Sequence, residues 1–247
     1  MSLAALSPAG TAVVTAGVLA GATTNRLTGL GFSLVCSPVL LLVLGPRDGV
    51  RLLNMISVAV ALTNVTTGWR HVRWRECLVL VAAGAACTPL AAYAAHRVDD
   101  RVLLVGAGLV TIASAVLLRS GRTVVFAGGT RGAVGAGAVS ATMNVVAGLS
   151  GPSVAMYGLN AGWSADEFRP TLQVYFLVLN SVAVVSLGPV RPGPALAVAA
   201  GIAVVAGFAL GARLSRRVPA ARFRSLVLVV VAAGGATALV RGLLLRR

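Results

Sequence analysis

The chain of 247 residues is 57% hydrophobic and only 11% charged, whereas about a quarter of the residues in an ordinary soluble domain are charged. This composition excludes a soluble globular protein. The net charge of +15 comes from arginine, which falls mainly between apolar stretches and can meet lipid phosphates there. We therefore expect membrane lipid, and not nucleic acid, as the partner of these arginines.

Eight apolar stretches follow one another between the clusters of charge. They cover residues 11–44, 52–68, 77–95, 102–118, 123–159, 171–187, 194–212 and 225–240. A helix needs about 20 residues to cross a bilayer, so the first and fifth stretches are too long for one span. Both contain polar and glycine residues, at 23–31 and 144–153. We predict an all-α integral membrane protein that forms one polytopic domain over residues 1–247.

The two interrupted stretches are related by a nearly constant spacing. Asn25 and Asn144 are 119 residues apart, as are Gly29 and Gly148, and later landmarks drift from this offset by only two residues. The spacing predicts two related halves, at about 9–121 and about 123–242, with a seam near Arg122. Each half has about four membrane elements, of which the first is broken or re-entrant.

The relative orientation of the two halves stays open at this point. If each interrupted element crosses the membrane once, each half has four crossings and the halves are parallel. If each element enters and returns as a hairpin, three crossings remain and the halves are inverted. The arginine counts on the two sides are too similar to decide between these arrangements.

A glycine-interrupted segment at the same place in each half indicates a transport site. Irregular backbone is tolerated at membrane depth only where it is buried or lines a cavity, and the freed N–H groups can bind an anion. The polar side chains of both interruptions are therefore candidate anion-binding groups. They are Asn25, Thr28 and Ser33 in the first, and Asn144, Ser150 and Ser153 in the second. The alternative is that they only cap the broken helices.

Three further residues are candidates for the same site. Arg26 lies inside the first of the two long apolar stretches, where an arginine costs at least about 2.5 kcal/mol at mid-bilayer, unless it reaches an interface. Thr171 and Asn180 lie at the start and in the middle of a later apolar stretch and could line the cavity. For Asn64 and Gln173 we favour packing between helices.

Two segments carry a family resemblance. GVLAGATTNRLTGLGFSLVCSPVLLLVLG at 17–45 and GAGAVSATMNVVAGLSGPSVAMYGLNAGWSADEFRPTLQVYFLVLN at 135–180 resemble the two signature regions of the sulfite exporter TauE/SafE family of membrane permeases, and FRPTL at 168–172 fits especially well. The resemblance implies a secondary permease for sulfite, an organosulfonate or a related sulfur-containing anion. Residues 29–33 and 150–153 depart from the family's glycine triplet before a proline, which leaves the exact anion open.

The sequence also bears on cofactors, coupling and location. Cys36, Cys77 and Cys87 lack metal-ligand spacing, so we expect no metal or other cofactor. All six acidic residues lie in predicted loops, which leaves the coupling ion open. The composition, rich in Ala, Val and Arg, favours a bacterial genome of high GC content and therefore a multi-pass protein of the bacterial inner membrane.

Two other functions compete with transport. A non-transporting scaffold or assembly protein could use the small-residue faces at Gly17xxxGly21 and Gly128xxxGly132 to bind partner helices, and a homo-oligomer stays open. An intramembrane serine protease would use the GLSG sequence at 148–151, but neither histidine follows it in the chain. Without a base for the serine we do not expect an enzyme.

Overall fold

The computed structural model describes residues 6–65, 68–120, 128–215 and 220–244, with only the backbone of 220–227 and 230. In these residues the chain forms ten α-helices, a short 3₁₀ helix at Trp69–His71 and no strand. The helices are α1 (Pro8–Thr28), α2 (Gly31–Leu44), α3 (Pro46–Val65), α4 (Trp74–His96), α5 (Asp100–Ser120), α6 (Gly129–Ala147), α7 (Gly151–Asn160), α8 (Ala165–Leu187), α9 (Pro194–Leu214) and α10 (Ala220–Leu244). The predicted all-α class is confirmed for this part of the chain.

Four helices are long and apolar enough to cross a membrane, as judged from the described residues. They are α4, α5, α8 and α9, with mean hydropathy between 1.6 and 2.3. Their outer faces carry large apolar side chains, such as Leu90, Val185 and Val205, which are at least 70% exposed. Repeated apolar outer faces of this kind are typical of helices that contact lipid rather than water. The chain is a multi-pass membrane protein.

The predicted stretch 11–44 forms two antiparallel helices, α1 and α2. The thiol of Cys36 in α2 donates to the carbonyl oxygen of Gly17 in α1, at 3.2 Å. Nearer the turn, a Cβ on Gly21 would lie 3.0 Å from the carbonyl oxygen of Phe32. From Gly21 back to Gly17 in α1, the contact moves forward in α2 from Phe32 to Cys36, so the two helices run in opposite directions. We call this pair the first hairpin.

The predicted stretch 123–159 behaves in the same way, although its first five residues lie outside the described part. Ser153 in α7 donates to the carbonyl oxygen of Ala136 in α6 at 3.2 Å, and Tyr157 donates to that of Gly129 at 3.3 Å. These contacts make α6 and α7 antiparallel. We call them the second hairpin. The predicted seam at Arg122 also lies outside the described residues.

Each hairpin turns at a glycine in the left-handed region. Gly29 has φ of 80° and Gly148 has φ of 67°. Their N–H groups donate to the carbonyl oxygens of Asn25 and Asn144, both at 2.7 Å, which is the usual glycine ending of a helix. Within the segments 23–31 and 144–153, only residues 29–30 and 148–150 lie outside the helices. The interruptions are therefore shorter than the polar segments 23–31 and 144–153 indicated, because most of those residues still pair within a helix.

The last helices of the two predicted halves, α5 and α10, pack antiparallel and very closely. A Cβ on Gly108 would lie 2.8 Å from the Cβ of Leu239, and one on Gly242 would lie 2.9 Å from the backbone nitrogen of Val105. Early residues of one helix thus face late residues of the other. Glycine is required here because any side chain would meet the neighbouring backbone.

Each hairpin packs against a helix from the other part of the chain. Gly207 and Gly211 of α9 lie against Ala22 and Arg26 of α1, so these two helices are parallel. The second hairpin makes the matching contact, since α6 runs parallel to α4 and meets it closely at Gly137. The hairpins are held by helices distant in sequence.

Two glycines of α9 give a matched test of this packing. A Cβ on Gly207 would lie 2.7 Å from both the Cβ of Ala22 and the carbonyl oxygen of Leu19, whereas one on Gly201 would meet nothing within 4 Å. We expect Gly207→Ala to destabilise the protein by about 1–3 kcal/mol through overpacking. Gly201→Ala should be neutral or stabilise by up to about 1 kcal/mol. Thermal unfolding of both variants in one detergent measures this, and equal melting temperatures would contradict the close packing.

Candidate functional site

The turns of the two hairpins lie side by side within the bundle. A Cβ on Gly151 would lie 3.5 Å from the side chain of Leu30, 3.6 Å from the ring of Phe176 and 3.9 Å from the carbonyl oxygen of Leu30. The first turn therefore contacts the start of α7, with α8 beside both. This contact brings both interruptions and α8 to one place.

A small polar cavity of about 20 Å³ lies against the first turn. Its volume is enough for about one water molecule. The cavity contains three of the predicted site residues, Asn25, Ser33 and Asn180, and two polar residues that the prediction did not assign to the site, Ser57 and Gln173. Its full lining is Asn25, Leu30, Phe32, Ser33, Ser57, Val60, Ala61, Gln173, Phe176 and Asn180. No carboxylate is among these residues.

The two asparagines of the cavity are oriented by other amides. The Oδ1 atom of Asn180 accepts a hydrogen bond from Nδ2 of Asn144 at 3.3 Å, and that of Asn25 accepts a long one from Nδ2 of Asn64 at 3.5 Å. Since both oxygens already accept a hydrogen bond, the NH₂ groups of Asn25 and Asn180 remain as donors beside the cavity, together with the hydroxyls of Ser33 and Ser57. The cavity thus offers donors without a fixed charge.

Two residues of α8 hold the first turn from outside. Nη2 of Arg169 donates to the carbonyl oxygens of Asn25, at 3.1 Å, and Arg26, at 2.6 Å, and Nε2 of Gln173 donates to that of Gly29 at 3.0 Å. The last carbonyls of a helix lack partners within the helix, and a cation stabilises that end of the helix dipole. Arg169 is not among the predicted site residues, although the FRPTL motif at 168–172 contains it. Gln173 is predicted to pack between helices.

Comparison with known proteins adds the family. The family model described as Sulfite exporter TauE/SafE matches residues 13–238. The chain belongs to this family. The match includes the second hairpin, the first hairpin except residues 8–12, and the whole cavity lining, and it confirms the resemblance seen at 17–45 and 135–180. TauE/SafE members are membrane transporters and not enzymes. No curated protein and no solved structure matches the chain.

In this TauE/SafE chain, α2 and α7 both begin without a capping side chain. Leu30 and Ser150 precede them, and neither makes a side-chain hydrogen bond to the first turn of its helix. The first N–H groups of both helices therefore have no side-chain partner. The hydroxyl of Ser150 does not cap α7, so the capping alternative does not explain this serine. Its carbonyl oxygen accepts a hydrogen bond from Ser140 at 2.6 Å.

The remaining predicted site residues lie away from the cavity. Arg26 is exposed beside Gly211 of α9. Thr28 donates to its own helix, to the carbonyl oxygen of Thr24 at 2.9 Å. Ser153 is bonded within the second hairpin, and Thr171 accepts from the backbone N–H of Arg73 at 3.0 Å, at the start of α4. The structure does not bring these four side chains to the polar cavity. Arg26 lies at the surface, Thr28 bonds within its own helix, and the other two bond to neighbouring elements.

A second, larger pocket adjoins the first turn. It has a volume of about 190 Å³ and is mostly apolar. Leu30 lines both this pocket and the polar cavity, and it therefore separates the two. The pocket, which we call the vestibule, is lined by Thr24, Thr28, Leu30, Gly31, Leu34, Leu118, Ala155, Leu159, Phe168 and Leu228.

Arg169 and Arg26 form a matched pair for a test of what holds the turn. We expect Arg169→Gln to lower stability by about 1.5–3 kcal/mol, because it removes charged hydrogen bonds to two carbonyl groups. Arg26→Gln, which changes an exposed side chain, should stay within about 0.5 kcal/mol. Chemical or thermal unfolding of the purified variants measures both. A larger loss for Arg26→Gln than for Arg169→Gln would contradict this role of Arg169.

Proposed function

We propose that this TauE/SafE protein is a secondary permease that carries a small sulfur-containing anion, such as sulfite or an organosulfonate, through the polar cavity at the two turns. One observation carries the proposal. Asn25 and Asn180 line a cavity without a carboxylate, and other amides engage their oxygens, which leaves their NH₂ groups as donors. Fixed donors of this kind suit an anion and disfavour a cation.

The energetics of the site suit an ion that must bind and leave again. A hydrogen bond to a charged group contributes about 1.5–3 kcal/mol. The uncapped beginnings of α2 and α7 add positive potential close to the cavity. No arginine side chain lines the cavity, so no direct ion pair would trap the substrate there. Arg169 stabilises the turn through its backbone carbonyls instead.

The size of the cavity supports transport by alternating access. A volume of about 20 Å³ fits about one water molecule, and a sulfur atom bearing three oxygens is larger. The substrate can therefore enter only when the hairpin turns move apart, and Leu30 stands between the cavity and the vestibule.

The helix pairing supports inverted halves. The helices α5 and α10 are antiparallel, while α1 runs parallel to α9 and α6 runs parallel to α4. Two halves related by an axis in the membrane plane produce this combination, with each hairpin re-entrant rather than crossing once. Inverted repeats with irregular backbone at the substrate site are a common architecture of alternating-access carriers.

Arginine placement supports one orientation in the membrane. The connections α3–α4, α5–α6, α7–α8 and α9–α10 lie at the same end of this arrangement and carry the larger share of the arginines. The positive-inside rule places that end in the cytoplasm of the bacterial inner membrane. The vestibule lies toward the same end, next to Leu118, Leu159 and Phe168. We infer that the anion enters from the cytoplasm.

The scaffold alternative loses one of its supports. Gly17 and Gly21 face Val39 and Cys36 of α2, so this small-residue face is already covered within the first hairpin. A partner helix could not pack there without displacing α2. No observation of the described residues favours this second function over transport.

A flux assay tests the permease proposal. We expect Asn180→Leu to lower anion flux about tenfold or more, because the loss of one donor to an anion costs about 1.5–3 kcal/mol. The control is Thr88→Val in α4, a buried threonine whose hydroxyl donates to its own helix at Gly84, at 2.7 Å. Proteoliposomes with sulfite, sulfonates, sulfate and thiosulfate give the measurement. Equal flux in both variants, or loss of flux only in proportion to folded yield, would argue against the site.

A further inference from the structure

Three buried asparagines meet beside the polar cavity, which is called the anion cavity below because of its proposed ligand. Asn54 of α3, Asn144 of α6 and Asn180 of α8 are 1%, 1% and 3% exposed. Nδ2 of Asn144 donates to Oδ1 of Asn54 at 2.9 Å and to Oδ1 of Asn180 at 3.3 Å. The Oδ1 atom of Asn144 is buried and has no hydrogen-bond partner among the described residues. An acceptor left in this state costs about 1–3 kcal/mol, which points to a ligand.

The orientation of these amides follows from a contact within α3. Nδ2 of Asn54 donates to the carbonyl oxygen of Val50 at 2.9 Å, so Oδ1 of Asn54 must face Asn144. Oδ1 of Asn180 faces it as well. Two carbonyl oxygens therefore converge on one point, where the NH₂ group of Asn144 now lies. A half-turn of the Asn144 amide would bring a third oxygen to that point, and a cation among the three oxygens would offset the repulsion between them.

The chemistry of the three oxygens favours a monovalent cation. All are neutral amide oxygens, whereas Ca²⁺ and Mg²⁺ sites usually include carboxylates. Asn144 also lies in the last turn of α6, where the helix dipole places partial negative charge. The ends of interrupted helices bind Na⁺ in other carriers. A Na⁺ ion fits this combination of small size, single charge and oxygen ligands.

The three asparagines lie where a counter-ion to the anion could bind, whereas the acidic residues do not. Within the described residues, the ion-paired carboxylates lie at the ends of the bundle, on residues Asp48, Glu76, Asp100 and Glu167. None of them lines the anion cavity. A neutral amide site next to that cavity can hold a counter-ion without any carboxylate.

We propose that Asn54, Asn144 and Asn180 form a Na⁺ site coupled to anion binding, a proposal that rests on the permease function above. Asn180 belongs to both sites, since its oxygen faces the cluster and its NH₂ group faces the anion cavity. A cation on the oxygen fixes this amide and strengthens its N–H groups as donors. Opposite charges on the two sides of one buried amide also attract each other. Each ion therefore raises the affinity for the other by the same factor.

The first experiment uses the wild-type protein. Binding of sulfite and of methanesulfonate is measured by calorimetry in Na⁺, K⁺ or choline at constant chloride concentration. We expect Na⁺ to lower the anion Kd at least about fivefold relative to choline, the lower end of typical coupling, and K⁺ to have a smaller effect. The anion should lower the half-saturating Na⁺ concentration by the same factor.

Variants of Asn54, which does not line the anion cavity, locate the effect. Asn54→Leu removes one oxygen and should make the anion affinities in Na⁺ and in choline equal, so that their ratio is about one. Asn54→Asp keeps an oxygen and adds negative charge, so the half-saturating Na⁺ concentration should fall several-fold. Thr88→Val is the control and should keep the wild-type ratio. This ratio would not change if Asn54 only supported the fold.

The possible outcomes separate the two proposals. If the anion binds equally well in Na⁺ and choline, the Na⁺ site is wrong and the permease proposal stands. An unchanged ratio in Asn54→Leu would also overturn the site. If Asn54→Leu does not fold, the wild-type comparison and Asn54→Asp still decide. A failure of all anions to bind in every salt would overturn the permease function itself.

Discussion

The structure depends on one constraint: a chain that reverses direction inside a helical membrane bundle must pair the backbone groups which the reversal exposes. In a bilayer, water is not available to do this. At Gly29 and Gly148 the left-handed conformation returns each N–H to the helix just ended. Several carbonyls of the two turns are also bonded by side chains of other helices, namely Arg169, Gln173 and, at Ala147, Ser37. The turns are stable because distant parts of the chain complete them.

The same constraint explains why binding groups collect at the turns. Side chains bond carbonyls at the ends of α1 and α6, but α2 and α7 begin without a capping side chain. At each turn, the carbonyl groups of the helix that ends are bonded by side chains, whereas the first N–H groups of the helix that begins have no side-chain partner. Each turn therefore offers hydrogen-bond donors near the cavity. The amides of Asn25 and Asn180 follow the same rule, since their oxygens are bonded and their NH₂ groups are left for the cavity. In the proposed permease, a neutral site would become selective for anions through the orientation of its amides.

Much of the fold could be predicted from the sequence, because apolar length and glycine spacing are local properties. They located Gly29 and Gly148 and the polar residues near them. They could not assign Ser57 and Gln173 to the cavity, because these side chains arrive from α3 and α8 through pairing between distant helices. Hydropathy also does not show which side of a helix a residue occupies. Arg26, a predicted site residue, lies at the surface, whereas Arg169, which was not predicted, bonds the carbonyl groups of the first turn.

The packing of α1 against α9 has a consequence for biosynthesis. The beginnings of these helices are separated by 186 residues, which a ribosome translates in roughly 10–40 s. For that period the face of α1 at Ala22 has no partner, and the nascent first hairpin must wait in lipid or beside the insertion machinery. Native assembly therefore finishes late, when α9 arrives, and a chain stopped before α9 would remain a substrate for membrane quality control.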